Sequence, residues 1–591
     1  MCGICGEIRL DKSFISKSQM THMLEGIKSR GPDHEGIFQK DSVFLGHRRL
    51  SIIDVSSKSH QPMTDDNLKL SLVFNGVIYN YKSLRSKLEG KGYKFFSTGD
   101  TEVILKSYHH YREDCVKHLD GVFAFAILDH VKNAVFLARD RLGIKPLYYK
   151  ISRESFQFAS TTKSLITEGN FNIDLTSLHY QFSLHSVIPA PRTILKEINK
   201  LEPGSTITID FNGNINQKKY YELSKISIDK TITEDDAISE IERLLFIAIS
   251  KRLITSDVPV GILLSGGLDS SLIVAMAAKN KLIDIDTYSI GFPTINEEKG
   301  DEFYYSDKIA KTFKTNHHKF NISESRLFEE IDNVISYMPE PMFSQDSSAF
   351  FLLAKEVSKR HKVVLSGQGA DELFGGYFWY NKMNNSKGSN IDKFINNYFD
   401  RDHADYCKTI SEDYSSEDYT RKLINNLFNK QHSSLDFLDQ VFRLELSTLI
   451  IDDPVKRIDS MTMSHGLEAR VPFLDTDLIE FVLKIPSQKK IKNNGKYHLK
   501  KVAEKYLSSE MINREKYYFP VPPLKVIENK FYNYVKQILS SDRCMDRGLY
   551  NPDIVHKLLN EPNKHFTKLN GNKLWHLALL EKWLQINVDI A

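Results

Sequence analysis

Two stretches of this 591-residue chain hold side chains whose type and spacing could do covalent chemistry. Cys2 becomes the first residue if Met1 is removed. A terminal thiol then carries its own base, because the adjacent α-amino group titrates near ~8 and can take up or return the thiol proton. Such a nucleophile attacks carbonyls. The second stretch is Ser265-Gly266-Gly267-Leu268-Asp269-Ser270-Ser271, between a buried-looking strand and an apolar helix. Its small residues let backbone N–H groups approach an anion, and the helix N-terminus adds partial positive charge, so pyrophosphate is the natural guest. No lysine follows the glycines, so γ-phosphate transfer in the G-x-x-x-x-G-K-[ST] style is not implied. A second turn, Ser366-Gly367-Gln368-Gly369-Ala370-Asp371-Glu372, puts two carboxylates beside two glycines, as a Mg²⁺-bound nucleotide requires. Asp269 and Asp371 are the expected metal ligands. The plain alternatives are a capped Gly-Gly turn and a buried structural cysteine.

The elements that must position these residues change character near residue 237. Before it, short β-branched or aromatic runs (Glu7–Leu10, Ser71–Phe74, Val122–Leu128, Ala134–Ala138, Ser205–Ile209) alternate with amphipathic helical stretches at Ser83–Leu88 and Glu102–Tyr111. That mixture predicts an α+β domain of antiparallel sheets covered by helices, over residues 2–215. A charged stretch predicts a linker over 216–236. From Ala237 longer helices alternate with isolated apolar strands: helix Ala237–Leu253, strand Val258–Leu264, helix Ser270–Lys279, strand Thr287–Gly291, helix Asp301–Phe313 and strand Val363–Leu365. This is the rhythm of an α/β domain with a parallel sheet, over 237–591.

Composition narrows the function. With 41% hydrophobic and 26% charged residues the chain packs as a globular protein. Lys+Arg number 79 against 76 Asp+Glu, so no overall field marks a nucleic-acid or membrane-surface binder. Five scattered cysteines argue for a reducing compartment, and the N-terminus lacks a signal-like apolar core, so a cytoplasmic address is expected. The best decoy for a membrane span, Val258–Ala278, carries Pro259 and Asp269 and is rejected. His317-His318 reads as a strand-edge pair, the lysine-rich 484–505 stretch as a solvated face apart from Lys496, and Trp575–Leu584 as an amphipathic helix.

Cys2 is not isolated. Cys2-Gly3-Ile4-Cys5-Gly6, Arg30-Gly31-Pro32-Asp33, Gly46 to Asp54, Asn75-Gly76 and Gly99-Asp100-Thr101-Glu102 together resemble the glutaminase domain of class II, N-terminal nucleophile, glutamine amidotransferases. By that resemblance Cys2 attacks the side-chain amide of glutamine, and Asn75 with the Gly76 N–H forms the oxyanion hole. Arg49 binds the α-carboxylate and Asp100 the α-amino group, with Leu50, Ser51, Ile52, Ile53 and Val77 in the same pocket. Each role suits the residue type: a fork-shaped cation for a carboxylate, neutral donors for an oxyanion. Cys5 reads as packing.

The first loop resembles the pyrophosphate loop of ATP pyrophosphatases. A class II glutaminase followed by such a loop is similar to the asparagine synthetase family over essentially the whole chain, and Asp453-Pro454-Val455-Lys456-Arg457 and Gly466 to Asp475 agree. The resemblance implies glutamine hydrolysis at Cys2, ATP-dependent adenylation of a small carboxylate acceptor, and passage of ammonia through an internal channel to displace AMP. It places Leu263 and Ile290 at adenosine, Ser265, Gly266, Gly267, Leu268, Asp269 and Ser270 at the phosphates, and Ser366 and Gly367 at the nucleotide, with ATP and Mg²⁺ required. Lys496 either stabilises phosphate charge or is a surface lysine in a polar turn. Family members are often dimers, so a homodimer is compatible.

Three departures bear on the acceptor. Gln368 stands where asparagine synthetases have a glutamate credited with taking ammonia's proton, and glutamine cannot accept one. The stretch Ser336–Ala354 contains no Arg or Lys to hold aspartate, which predicts an uncharged pocket. Val77 replaces a glutamate that anchors glutamine. With Gly300 to Phe303, Gln345-Asp346-Ser347, Tyr518 to Pro522 and Lys573-Leu574-Trp575, these look most like N-acetylglutaminylglutamine amidotransferases, which make a neutral osmolyte. Asparagine synthesis from aspartate is the alternative. A degenerate, non-catalytic binding module is the reading from another class.

Overall fold

The computed structural model describes residues 2–167, 171–282, 284–415, 417–514 and 521–589. Its first half contains twelve strands: β1 (Gly3–Arg9), β2 (His34–Lys40), β3 (Val43–Arg49), β4 (Met63–Asp65), β5 (Leu70–Ile78), β6 (Gly121–Asp129), β7 (Ala134–Arg139), β8 (Tyr148–Ile151), β9 (Ser155–Ala159), β10 (Asn199–Lys200), β11 (Ser205–Asp210) and β12 (Ile215–Lys219). They form two six-stranded antiparallel sheets, ordered β10-β8-β9-β1-β3-β2 and β12-β11-β7-β6-β5-β4. Side-chain alternation decides what each face meets. On β1, Ile4 and Ile8 enter the layer between the sheets, with Val43, Leu45 and Val73. Cys5 turns to the opposite face and is fully buried, so it packs as expected. On β5, Leu72 and Phe74 face the helices Tyr81–Glu89 and Asp100–Tyr111, whereas Val73 faces the second sheet. Asn75 shares the parity of Val73 and so points toward β1 and Cys2.

The expected antiparallel, helix-covered architecture is therefore present. The hairpin β11–β12 runs on through Lys219, so residue 215, the expected end of this domain, is the first residue of its last strand. The helix read from Ala237 starts at Glu234, capped by Thr233, whose hydroxyl accepts the Asp236 N–H. What was read as a linker from 216 to 236 thus contributes an edge strand and the first helical residues.

The second half is built on five parallel strands: β13 (Val260–Leu263), β14 (Asp286–Gly291), β15 (Asn316–Asn321), β16 (Val363–Leu365) and β17 (Glu468–Arg470), ordered β15-β14-β13-β16-β17. The chain leaves β13 for one edge of the sheet and later returns to its other side as β16. The ends of β13 and β16 therefore flank a topological switch point, where open α/β sheets bind ligands. Both sequence-predicted turns follow these two strands. His317 and His318 lie on β15, the edge strand, as expected.

Two expectations about the C-terminal helices are corrected. Lys490, in the stretch read as a solvated face, is fully buried, its ammonium 4.4 Å from the Phe442 ring and bonded to Val482 O at 3.3 Å. The helix Lys573–Asn587 is buried on nearly every side, including Trp575, Trp583 and Glu581, and Arg547 answers the Glu581 charge at 3.0 Å. Tyr518 to Pro520 lie outside the described residues. Among the described residues no helix is long and apolar enough to cross a membrane.

Candidate active sites

The first site forms where β1 starts beside β5. The Cys2 backbone nitrogen donates to Asn75 Oδ1 at 3.1 Å. Asn75 is fully buried, and its Nδ2 has no hydrogen-bond partner among the described residues. A buried amide donor left unmatched costs about 1–3 kcal/mol, so it marks a place where an acceptor oxygen belongs. Gly76 follows with φ +155°, and a Cβ there would stand 2.1 Å from Val122 O, so no side chain shields its backbone. Burial pushes the Cys2 thiol up, while the Leu50 N–H and the Arg49 charge pull the other way.

Arg49, at the end of β3, is 3% exposed, and its guanidinium donates to Ser56 O at 2.8 Å and to Asp54 O. The loop it holds contains Leu50 and Ile52, both buried, half-buried Ser51 and Ile53, and Asp54. Ser51 N–H donates to Asp33 Oδ2 at 2.7 Å, which ties the loop to the Arg30–Asp33 block. Asp100 opens the helix Asp100–Tyr111 and accepts the Ile78 N–H at 3.0 Å; burial raises its carboxyl to about 6. Val77 is buried in β5 between these groups. The sequence-predicted glutamine residues are thus brought together around Cys2.

The second site sits at the switch point. Gly266 adopts φ +75° and packs so closely on Tyr305 and Ser306 that a Cβ would lie 2.6 Å from Tyr305. Gly267 caps the helix Leu268–Lys279, Ser265 Oγ accepts the Gly267 N–H at 3.3 Å, and Ser270 Oγ lies 3.3 Å from Ser265 Oγ. Gly367 packs on this turn, with an added Cβ 3.1 Å from both Asp269 Cβ and Ser270 N, while Ser366 N–H donates to Arg470 O at 2.9 Å. The two turns therefore form one cradle. Leu263 and Ile290 are buried at the ends of neighbouring strands β13 and β14.

Lys496 resolves its two readings geometrically. It is 7% exposed, and its Nζ lies 2.7 Å and 2.8 Å from the Asp269 carboxylate oxygens and 2.8 Å from Asp371 Oδ1. Burial pulls the ammonium down, but the two carboxylates more than reverse this and hold it above its ordinary value. Lys496 itself is in the left-handed region, φ +55°, and follows Gly495, where a Cβ would stand 2.0 Å from Gly375 O. It is not a surface lysine. The carboxylates expected to hold a metal converge on this ammonium.

Sequence reasoning missed Arg514. Its Nη2 lies 3.5 Å from where a Gly267 Cβ would stand, Glu302 forms an ion pair with it at 2.8 Å, and the guanidinium stacks 4.5 Å from the Tyr305 ring. Nη1 is buried with no hydrogen-bond partner among the described residues. No spacing signal marked it, since the Ser265–Ser270 turn lies far upstream in the chain.

The uncharged pocket expected over Ser336–Ala354 is also corrected. Glu340 is fully buried and meets Lys200 at 2.9 Å and Lys456 at 3.2 Å; Asp346 forms an ion pair with Arg457 at 2.8 Å. The cations absent from the stretch arrive from the Asp453–Arg457 block and from β10, where segment composition could not reveal them.

These geometries fit the protein's relatives. A glutamine amidotransferase domain model matches residues 1–221, and an asparagine synthase model matches residues 240–585, more than half of the chain. The chain belongs to the asparagine synthetase family. It is 31% identical to a glutamine-hydrolysing asparagine synthetase of Bacillus subtilis, over 100% of this chain and 97% of that one. A putative asparagine synthetase of Methanocaldococcus jannaschii is 39% identical over 64% of this chain and 76% of its own length. Asparagine synthetase B of Escherichia coli is 27% identical over 88% of this chain and 82% of its own. As a member of the asparagine synthetase family the chain is a glutamine-dependent amidotransferase ligase that uses ATP, and the non-catalytic reading is set aside.

Proposed function

We propose that Cys2 liberates ammonia from glutamine and that the cradle around Lys496 activates an acceptor carboxylate with ATP to receive it. With Met1 removed, the Cys2 nitrogen held by Asn75 Oδ1 is the α-amino base that takes the thiol proton. The thiolate attacks the glutamine amide carbon. The oxyanion is met by Asn75 Nδ2 and the Gly76 N–H, ammonia leaves with a returned proton, and water hydrolyses the thioester to glutamate. Arg49 and the charged Asp100 orient the amino-acid end, with Val77 adding only apolar contact.

At the second site the acceptor carboxylate oxygen attacks the α-phosphorus, pyrophosphate leaves, and ammonia attacks the acyl carbon to expel AMP. The Ser265–Ser270 turn, Lys496 and the orphan donor of Arg514 converge where the departing pyrophosphate carries its charge. Asp269 and Asp371 offer the hard oxygen donors that Mg²⁺ takes, and the ion when bound neutralises phosphate charge. Lys496 holds both carboxylates in that position. The free cysteines suit a reducing cytoplasm.

The acceptor we favour is the C-terminal carboxylate of N-acetylglutaminylglutamine. Two observations support it. Gln368 puts a neutral amide at the position where asparagine synthetases carry a glutamate, and the cations that the Ser336–Ala354 stretch meets, Lys200, Lys456 and Arg457, are already bonded to protein carboxylates. Aspartate, with two carboxylates, would need one of them released; its amidation is the second reading, favoured by the names of the relatives. Mass spectrometry of products from purified protein with ATP, glutamine and each acceptor tests the choice. Conversion of aspartate and not of the blocked dipeptide overturns the favoured acceptor. Cys2→Ala should abolish glutamine-dependent turnover and keep turnover with ammonium; persistence of both would overturn the nucleophile.

A further inference from the structure

Behind Cys2 a carboxylate from the second half of the chain reaches into the first. Asp459 lies on the helix Lys456–Met463 and is buried. Its Oδ2 accepts a hydrogen bond from Arg30 Nη2 at 2.9 Å, and its Oδ1 accepts one from Lys145 Nζ at 3.0 Å. Both cations are buried, and both lie within residues 1–221, matched by the glutamine amidotransferase domain model. The Arg30 fork has a second arm. Its Nε donates to the Cys2 carbonyl oxygen at 3.2 Å, so one planar guanidinium joins Asp459 to the backbone of Cys2.

We propose that Asp459 is a positioning residue for the Cys2 nucleophile and acts through Arg30. The inference rests on the reading of Cys2 as the group that attacks glutamine. The Cys2 backbone is gripped at two points, the nitrogen by Asn75 Oδ1 at 3.1 Å and the carbonyl by Arg30, and the thiol side chain projects from the Cα between them. Asn75 is fixed inside the first half, because β5 pairs it with Ala124 of β6. Arg30 depends on the second half. Among the described residues its guanidinium bonds only to Cys2 O and to Asp459. Burial alone would push the Asp459 carboxyl up, but Arg30 and Lys145 more than reverse this and hold it below its ordinary value, so a charged acceptor faces both cations. Lys145 pins the oxygen that Arg30 does not use, which fixes the orientation of the carboxylate.

The consequence is that the nucleophile is aimed from the other half of the chain. The first turn of the same helix carries Lys456 and Arg457, bonded to Glu340 at 3.2 Å and to Asp346 at 2.8 Å. The element that orients Cys2 is therefore seated on the Ser336–Ala354 stretch.

The test follows glutamate released from glutamine by the full chain, which needs no choice of acceptor. Asp459→Asn should lower kcat about 10²-fold, the loss that follows from misplacing a reacting group by about 1 Å, and leave KM for glutamine close to its original value. Arg30→Lys keeps a charge opposite Asp459 but lacks the fork that holds the carbonyl as well, so it should reproduce the kcat loss with little change in melting temperature. Should Asp459→Asn fail to fold, Asp459→Leu combined with Lys145→Met removes an anion and a cation together and spares the interior an unbalanced charge; the same kcat loss is expected. Full kcat in the folded Asp459 variant or in Arg30→Lys, or a loss carried by KM instead of kcat, overturns the positioning role. Cys2→Ala separates this failure from that of the underlying reading: glutamine hydrolysis that survives it overturns the nucleophile, whereas hydrolysis lost there but intact in the Asp459 variant overturns Asp459 alone.

Discussion

The carboxylate of Asp257 accepts the Asp54 N–H at 2.7 Å, while the Asp257 N–H donates to Ile52 O at 2.9 Å. Two bonds thus clamp the loop that Arg49 organises onto the residues entering β13, the strand that ends at the phosphate turn. The conformation of the loop proposed to receive glutamine is set partly by the other half of the chain. Lys362 reinforces this, bonding at 2.7 Å to the Asp33 carboxylate that also holds Ser51.

Breaking the clamp with Asp257→Ala should raise KM for glutamine about tenfold, the cost of one hydrogen bond to a charged group of roughly 1.5 kcal/mol. Amide formation from added ammonium should stay unchanged, and the ratio of glutamate released to amide formed should climb. An equal fall in ammonium-dependent turnover would mean that Asp257 supports the fold and not the loop.

The oxyanion assignment makes a sharper demand on Asn75. Removing one such donor costs on the order of 10²–10³ in kcat. Asn75→Ala should show that loss in glutamine hydrolysis, with KM altered less and ammonium-dependent synthesis retained. A pure KM effect would instead place the unmatched Nδ2 at the substrate's amino-acid end.

Asp100 gives a pH test with opposite signs for binding and stability. Its folded-state value of about 6 exceeds the unfolded one, so the fold holds this proton more tightly than the unfolded chain does. The stabilisation from protonation is fully present below an unfolded value of ~3.9 and is lost as pH rises through about 6. Binding an ammonium needs the charged form, so kcat/KM for glutamine should fall on the acid side near pH 6. Asp100→Asn should flatten that limb, raise KM, and raise stability at neutral pH by roughly 2–3 kcal/mol, since one unit is worth 1.36 kcal/mol. Unchanged melting temperature at pH 7 would show that burial exacts no such cost.

How much of this was legible in the sequence depends on how local the signal is. The phosphate turn is a contiguous strand, turn and helix, and it folds as the pattern dictates. Cys2 and Asn75 are far apart in the chain, yet each sits in its own recognisable block, and strand parity then aims Asn75 at Cys2. Lys490 and Lys496 show the limit. Both lie in a run of lysines that reads as a wet surface, but Phe442 and Val482 cover one, and Asp269 and Asp371 claim the other. Charge patterning within a segment cannot see partners supplied by distant elements. The same limit hid Arg457 and Lys456 from the acceptor stretch, and Arg514 from the phosphate turn.

Lys496 should prove indispensable to activation and irrelevant to glutamine hydrolysis. Lys496→Ala removes the ammonium that bridges Asp269 and Asp371, so pyrophosphate exchange into ATP should fall by about 10²–10³ or more, a loss comparable to removing a charge-stabilising donor. Lys496→Arg should not restore it, because the planar guanidinium cannot place one compact charge among both carboxylates. Glutaminase activity should be unaffected in either variant.

Arg514 separates phosphate recognition from positioning of the turn. If Nη1 is matched only when ATP arrives, Arg514→Ala should raise KM for ATP by roughly 10- to 150-fold, the 1.5–3 kcal/mol of a hydrogen bond to a charged group. Arg514→Lys should recover only part of this, since the fork reaching both Glu302 and the phosphates is lost. Glu302→Gln weakens the ion pair and leaves the cation in place, so it should shift KM for ATP far less than Arg514→Ala does. Were the two variants equally impaired, the pair would be holding Tyr305 and the Gly266 turn in shape, and the unmatched guanidinium nitrogen would have no role in binding nucleotide.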